Sequence, residues 1–247
     1  MRIEYARISL TGDRRDNQDR VAVVVGERAV MMLVFDGMGG HSDGAAAART
    51  ALDSVQQYFT GVAHPVFDPQ GFLYAAMGRA HDAVVALGEG MDLDSRPRAT
   101  GAVCLVQDQA SWWAHVGDSR IYQIRGGRVW SRTRDHSHVE LLLREGVIDE
   151  NQAREHPMRN FVESCLGGDE PLPGVSVSPG KPLQNGDVLI ACTDGLWSGL
   201  DESEIAQIAN RADRSVVDNL RELGERALHA TAPHSDNASA ASLRWLS

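Results

Sequence analysis

Two apolar runs in this chain stop at the same dipeptide, Asp-Gly, and this repeated ending restricts the folds that the sequence can adopt. The runs are residues 31–35, followed by Asp36-Gly37, and residues 188–192, followed by Thr193-Asp194-Gly195. Each run is too short for a typical helix and is ended by turn residues, which is typical of a buried strand. The sequence therefore predicts two buried strands that each present a carboxylate at one end.

A carboxylate at a strand end, beside a bare glycine carbonyl, suits a hard cation that prefers oxygen ligands. An isolated Asp-Gly is more often a solvated turn, so a metal site would need further acids. The chain offers further acids at the borders of predicted strands: Asp118, Asp236, and the three aspartates of the loop between the first two strands, Asp13, Asp16 and Asp19. Each is a weak signal alone, but as a set these acids predict a cation site.

Alternation, helical periodicity and turn residues predict the order of elements along the chain. We expect strands at residues 3–10, 21–26, 29–35, 102–107, 111–116, 121–125, 128–131, 174–178, 187–193 and 238–246. We expect helices at residues 42–59, 70–88, 136–145, 149–155, 201–209 and 214–228, the first of them capped by Ser42 or Asp43. This order predicts an α+β fold in which two packed antiparallel sheets carry helices outside.

Length and composition limit the classes of protein that fit. The chain has 247 residues without a Pro/Ser-rich linker, so we expect one domain spanning residues 1–247. A formal net charge of −10 disfavours nucleic acids and anionic membranes as partners. No apolar run approaches the roughly 18 residues of a membrane span, and residues 1–5 lack the core of a signal peptide. We therefore expect a cytoplasmic protein without membrane insertion, whose three cysteines are core residues rather than disulfides or zinc ligands.

Seven motifs, in order along the chain, resemble those of the PPM family of metal-dependent serine/threonine protein phosphatases, also called type 2C. They are Arg14 with Gln18-Asp19, Asp36-Gly37-Met38-Gly39-Gly40-His41, Thr100-Gly101, Gly117-Asp118-Ser119-Arg120, Asp135-His136-Ser137, Thr193-Asp194-Gly195 and Asp236-Asn237. The chain looks most similar to compact bacterial members. The resemblance implies a four-layer αββα sandwich.

The resemblance also implies a binuclear centre of Mn²⁺ or Mg²⁺ ions, which would activate a water for attack on phosphoserine or phosphothreonine. Asp36 would bridge the ions, the Gly37 carbonyl would bind one, and Asp194 and Asp236 would bind the other. All-oxygen ligands of this kind suit both metals. Asp19 would act behind these ligands by gripping metal-bound water.

The same resemblance places Arg14 as the ligand of the substrate phosphate, because a planar guanidinium can contact phosphate with two hydrogen bonds. The neighbouring Arg15 is an open alternative. Family members with a catalytic histidine in this loop carry it directly after Asp-Gly, where this chain has Met38, so we expect His41 to be structural. His136 is expected to cap or pack a helix rather than to bind metal.

The proton donor for the leaving group is thereby left open, and Asp118 offers one answer. Bacterial relatives can hold a third, weaker metal ion between this aspartate and a flap, which we expect at residues 138–170. Such an ion could organise the flap or activate a water as the proton donor. The alternative is that Asp118 caps its turn or pairs with Arg120.

The sequence therefore predicts a protein serine/threonine phosphatase that acts on phosphoproteins made by a bacterial Hanks-type kinase. A stress-response-type phosphatase for a small antagonist protein is one alternative, against which Arg14 and the complete flap argue. A catalytically weak phosphoprotein-binding regulator is another, against which the full set of acids argues. The sequence lacks the Cys-x₅-Arg pattern of a cysteine phosphatase and a Gly-Lys-Ser/Thr phosphate loop.

Overall fold

The computed structural model describes residues 1–38, 42–149, 152–153, 156–159 and 161–246. The strands are β1 (Ile3–Leu10), β2 (Arg20–Val25), β3 (Ala29–Met38), β4 (Arg98–Gln107), β5 (Ala110–Val116), β6 (Arg120–Arg125), β7 (Arg128–Arg132), β8 (Leu166–Gly167), β9 (Ser176–Val177), β10 (Lys181–Pro182), β11 (Val188–Cys192) and β12 (Ala238–Trp245). The helices are α1 (Ser42–Thr60), α2 (Pro69–Leu87), α3 (His138–Arg144), α4 (Asp194–Trp197), α5 (Glu202–Ala209) and α6 (Val216–Thr231). None of the helices in these ranges is long and apolar enough to cross a membrane.

The strands form two sheets in which the strand pairs are antiparallel. The first sheet has the order β1-β12-β11-β6-β7, and the second has the order β10-β5-β4-β3-β2, with β8 beside β4 and β9 beside β5. The first and last strands of the chain therefore pair with each other over the whole of β1, from Ile3↔Trp245 to Leu10↔Ala238.

Alternation along β3 shows how the layers are built. Met31, Leu33 and Phe35 pack against α1 and α2, whereas Met32 and Val34 face the first sheet. A third apolar cluster lies between the first sheet and the helices α5 and α6. Because successive strand residues point to opposite faces, one buried strand contributes to two of these layers. The result is the predicted four-layer order of helices, sheet, sheet and helices.

Most predicted elements are present, and the differences have local causes. Strand β4 begins at Arg98 rather than at residue 102, because the small residues at 99–101 pair with the end of β3. The two-residue strands β8 and β10 and the short helix α4 are absent from the prediction. The predicted helix at 149–155 lies mostly outside the described residues, as do the side chain of Ser42 and the whole of His41.

Candidate metal centre

The five predicted carboxylates come together at one end of the paired sheets. Asp36 lies in β3, Asp194 begins α4 directly after β11, and Asp236 precedes β12. Asp19 and Asp118 lie just before β2 and just after β5. Burial raises the pKa of Asp36 well above its ordinary value, and the charges of Asp19, Asp194, Asp118 and Asp236 raise it further. The structure thus confirms that these acids share one electrostatic environment.

The pKa values of the neighbouring acids are also raised. Burial raises the pKa of Asp19 to about 7, that of Asp118 to about 8 and that of Asp194 to about 6. The charge of Asp194 adds to the first two of these shifts, and the charge of Asp236 adds to the third. A group of buried acids that repel one another in this way is stabilised by a nearby cation.

The donor atoms also fit a cation. Oδ1 of Asp19 and Oδ1 of Asp194 are buried and have no hydrogen-bond partner among the described residues. Buried oxygens are rarely left unpaired, and carboxylate oxygens are the ligands that Mg²⁺ and Mn²⁺ prefer. No group of three or more His, Cys, Asp and Glu side chains in the described ranges is arranged to hold a metal ion directly. The acids lie near one another, but some of their carboxylate oxygens accept hydrogen bonds from protein groups, as Asp19 Oδ2 and Asp236 Oδ2 do.

Asn237 ties the acidic loop before β2 to the loop before β12. Its Oδ1 accepts a hydrogen bond of 2.8 Å from the Gln18 backbone N–H. Its Nδ2 donates to the carbonyls of Thr11 and Asp16, at 2.8 and 3.0 Å. Because the side chain is buried, these bonds fix the position of the adjacent Asp236 relative to Asp19.

Two glycines allow the backbone to approach closely at this centre. A Cβ at Gly37 would lie 2.0 Å from the Gly44 carbonyl oxygen, at the start of α1. A Cβ at Gly195 would lie 2.1 Å from the Asn237 carbonyl oxygen. A side chain at Gly37 would push β3 away from the start of α1, and one at Gly195 would push α4 away from Asn237. The glycine that follows each of Asp36 and Asp194 is thus required by packing.

The hydroxyl of Thr193 fixes the Asp19 side chain. Thr193 Oγ1 donates to Asp19 Oδ2 at 2.9 Å and accepts from the Ser239 backbone N–H at 3.0 Å. Thr193 is fully buried, so its hydroxyl joins β11 and β12 to the loop before β2. One oxygen of Asp19 is held in this way, which leaves the other as the unpaired Oδ1.

Arg14 reaches this centre, and its guanidinium contacts a predicted metal ligand. Its NH2 donates to Asp236 Oδ2 at 2.7 Å, and the two side chains are 59% and 39% exposed. This contact raises the pKa of Arg14, with smaller contributions from the charges of Asp194 and Asp36. Arg15 is also exposed. The position of Arg14 makes it the better candidate of the two for contact with a ligand at the centre.

Comparison with known proteins identifies the family of this chain. A profile described as Protein phosphatase 2C matches residues 12–232. The putative protein phosphatase 2C-type of Streptococcus pyogenes serotype M6 is 30% identical over 209 residues, which cover 82% of this chain and 83% of that protein. The chain belongs to the protein phosphatase 2C family. The predicted family and enzyme class, a serine/threonine protein phosphatase, are therefore confirmed.

Solved structures of related phosphatases superimpose on almost the whole of this chain. The Mycobacterium tuberculosis serine/threonine phosphatase PstP/Ppp superimposes with a TM-score of 0.85 at 27% identity, covering 99% of both chains. The catalytic domain of PstP in complex with two manganese ions gives a TM-score of 0.82 at 26% identity, again over 99% of both chains. The predicted αββα fold is thus confirmed as that of this phosphatase family.

In this phosphatase 2C member, Arg120 does not act as the partner of Asp118. Its guanidinium makes two hydrogen bonds to Asp135, at 2.8 and 2.7 Å, and lies 3.3 Å from the ring centroid of Trp197. Trp197 Nε1 in turn donates to the Asp118 backbone carbonyl at 3.0 Å. The ion pair that Arg120 forms in the described part of the chain is with Asp135 rather than with Asp118, against the predicted alternative, although the charge of Arg120 still lowers the pKa of Asp118 against the larger effect of burial.

His136 packs, as predicted, but it does not cap the helix. Its ring lies 4.6 Å from that of His115, and its Nε2 is 2.8 Å from Ser176 Oγ. The cap of α3 is Ser137, whose hydroxyl accepts from the Glu140 N–H at 3.3 Å. The His136 backbone N–H also donates to the Gly117 carbonyl at 2.9 Å, so the motif Asp135-His136-Ser137 supports the loop beside Asp118.

The structural roles of Thr193 and Asn237 could not be predicted from the sequence. Both stand inside the quoted motifs, but the signal there was only their position next to an aspartate. Their partners lie 174 and up to 226 residues away in the chain. Hydrogen bonds across such separations leave no periodicity or spacing in a single sequence.

Proposed function

We propose that this protein hydrolyses phosphoserine and phosphothreonine on other proteins at the centre formed by Asp19, Asp36, Asp118, Asp194 and Asp236. The observation that carries this proposal is the convergence of five acids from distant parts of the chain in a member of the protein phosphatase 2C family. Phosphate monoesters are very slow to hydrolyse in water. A centre of this kind, with its metal ions bound, would supply an activated water and neutralise charge on the phosphoryl group.

The chain's own residues would divide the work as follows. Asp36 and the Gly37 carbonyl would hold one Mn²⁺ or Mg²⁺ ion, and Asp36 would share a second ion with Asp194 and Asp236. Asp19, fixed by Thr193, would orient water through its unpaired oxygen. When bound, the two ions supply an activated water and neutralise charge on the phosphoryl oxygens. The two manganese ions in the PstP structure support this assignment.

Arg14 would bind the phosphate oxygens of the substrate. Its guanidinium lies at the edge of the centre and is 59% exposed, so it can reach a ligand that arrives from solvent. The hydrogen bonds of an arginine to phosphate are charge-assisted and can be bidentate. In this role Arg14 would hold and orient the phosphoryl group at the centre.

Asp118 would hold a third, weaker ion next to the flap at residues 138–170. Burial and the charges of Asp194 and Asp135 raise its pKa to about 8, so its carboxylate lacks a sufficient cationic neighbour. The flap reaches this point, because the Ser164 carbonyl oxygen lies 3.4 Å from where a Cβ on Gly117 would be. A single carboxylate binds such ions loosely, and occupancy should depend on metal concentration.

The flap itself would set substrate choice within a single domain spanning residues 1–247. In its described parts, Val147, Met158 and Phe161 are large apolar side chains that are 63%, 40% and 51% exposed. Exposed apolar side chains beside a catalytic centre are suited to contact with a protein substrate. A bacterial Hanks-type kinase would supply the phosphoprotein. We also place the reaction in the cytoplasm, since Cys104, Cys165 and Cys192 are unpaired.

Hydrolysis of a phosphothreonine peptide tests the proposal. The purified protein should release phosphate with Mn²⁺ present, lose this activity after treatment with a chelator, and regain it when Mn²⁺ is returned. The peptide's binding should be measured alongside in the chelated protein. Peptide binding without phosphate release under any metal condition would instead identify the chain as a catalytically weak regulator.

A further inference from the structure

Asp236 has both of its carboxylate oxygens engaged by donors from the protein. Oδ1 accepts a hydrogen bond of 2.8 Å from the backbone N–H of Asn237. Oδ2 accepts from Arg14 NH2 at 2.7 Å. The backbone N–H is fixed by its place before β12, whereas the arginine side chain can move. A cation that approaches Asp236 through Oδ2 must therefore displace Arg14.

The position of Arg14 matches that of a counter-ion for the whole centre. Its guanidinium is close enough to Asp194 and Asp36 for their charges to favour its charged form, as well as that of Asp236. The Arg14 and Asp236 side chains are 59% and 39% exposed, so water can replace either partner when the pair opens. An exposed ion pair of this kind is weak and opens readily.

We infer that Arg14 and a divalent metal ion compete for Asp236, so that metal loading releases Arg14 to bind the substrate phosphate. The inference rests on the proposed function, because it takes the same arginine as phosphate ligand and the same aspartate as metal ligand. In the metal-free protein Arg14 neutralises Asp236 and is withdrawn from substrate. In the loaded protein the ion has replaced it, and the guanidinium turns to the phosphate. Metal binding thus precedes productive phosphate binding.

The size of the competition follows from the ion pair. Exposed pairs contribute about 0.2–1 kcal/mol, which corresponds to roughly one to five closed ion pairs for each open one. A ligand that needs the open form has its affinity reduced by the populated fraction of that form. Removal of the Arg14 side chain should therefore tighten metal binding at the Asp236 site by about two- to sixfold.

Arg15 provides a matched control. It is the adjacent residue, it carries the same charge and it is exposed, and the ion pair with Asp236 is made by Arg14. Arg15→Ala therefore removes one positive charge from the same loop without removing the contact. The difference between Arg14→Ala and Arg15→Ala isolates direct competition from the general effect of a lost charge.

Calorimetric titration of Mn²⁺ into chelator-treated full-length protein tests the inference without measuring activity. We expect the site that includes Asp236 to bind Mn²⁺ about two- to sixfold more tightly in Arg14→Ala than in Arg15→Ala, with Arg14→Lys between them. Equal affinities in Arg14→Ala and Arg15→Ala, or weaker binding in Arg14→Ala, would overturn the inference and leave the metal centre in place. If the wild-type protein binds no Mn²⁺, the proposed function fails and the inference fails with it.

Discussion

Replacement of Asp118 by Asn should make the metal-free protein more stable, and increasingly so as the pH rises. Asp118 is 8% exposed and is surrounded by other acids. Burial, followed by the charges of Asp194 and Asp135, raises its pKa from 3.8 to about 8. Above pH 3.8, folding therefore requires this carboxyl group either to take up a proton or to stay ionised where ionisation is unfavourable, and Asn removes that cost while it keeps the shape of the side chain.

The sign and size of this gain in the free energy of unfolding follow from proton linkage. Between pH 3.8 and about 8 the folded protein keeps a proton on Asp118 that the unfolded chain has lost, so the free energy of unfolding falls as the pH rises. A single isolated group would lose about 1.4 kcal/mol per pH unit, or about 4 kcal/mol between pH 5 and 8. Because neighbouring carboxylates share protons, we expect about half of this, a relative gain of about 2 kcal/mol for Asp118→Asn.

Urea unfolding of the chelator-treated proteins at pH 5 and pH 8 measures this gain, with Asp187→Asn as the control. Asp187 is also buried, but hydrogen bonds from Arg125, Gln184 and Gln123 outweigh burial and lower its pKa. Its stabilising charge is present above its usual pKa and is lost only on acidification, so Asp187→Asn should be destabilised about equally at both pH values. A difference between Asp118→Asn and wild type that is constant, or that shrinks from pH 5 to pH 8, would refute the reasoning.

Three further changes test other parts of the structure. Asp36→Asn should reduce kcat on a phosphothreonine peptide more than tenfold, a loss above about 1.4 kcal/mol, because it removes the shared central charge; a variant with a tenth of wild-type kcat or more contradicts that role. Asp135→Asn should lower the free energy of unfolding by about 3 kcal/mol, since Arg120 would stay buried without its partner; an unchanged urea midpoint would show that the pair contributes little. Phe161→Ala should raise KM for a phosphoprotein but not for a small aryl phosphate, whereas Phe67→Ala, exposed outside the flap, should change neither; equal effects of the two variants would remove the flap from substrate choice.

Much of the fold could be predicted because its strands are long and regularly patterned. Alternation along β3 and the apolar run of β11 are local signals, and both strands are present. Strand β3 continues to Met38 rather than ending at residue 35, because Asp36 and Gly37 pair with β4. Two-residue strands such as β8 and β10 contain too few residues for a period to appear. Strands β9 and β11 are separated by a recognisable turn, but they belong to different sheets. Turn residues mark a change of direction and carry no information about the next partner.

The positions of the acids were predictable for a related reason, since each lies within or close to the end of a strand that the sequence reveals. The hydrogen bonds that orient them were not. Arg14 reaches Asp236 across 222 residues, and Thr193 reaches Asp19 across 174. Which oxygen of a carboxylate is held, and which is left unpaired, depends on the packed loops. Sequence patterns therefore predicted which acids converge but not how their side chains are oriented.

The pairing of β1 with β12 has a consequence for the order in which a new chain gains activity. Strand β1 lies at the edge of the first sheet, and its sheet neighbour is β12. As the ribosome extends the chain, β1 must wait until residues 238–245 have emerged, because contacts between distant segments form late. Asp236 and Asn237 emerge just before that strand. The candidate centre is therefore complete only after both β1 and β12 are available, and we expect a chain cut before residue 236 to lack activity even if it still builds the second sheet.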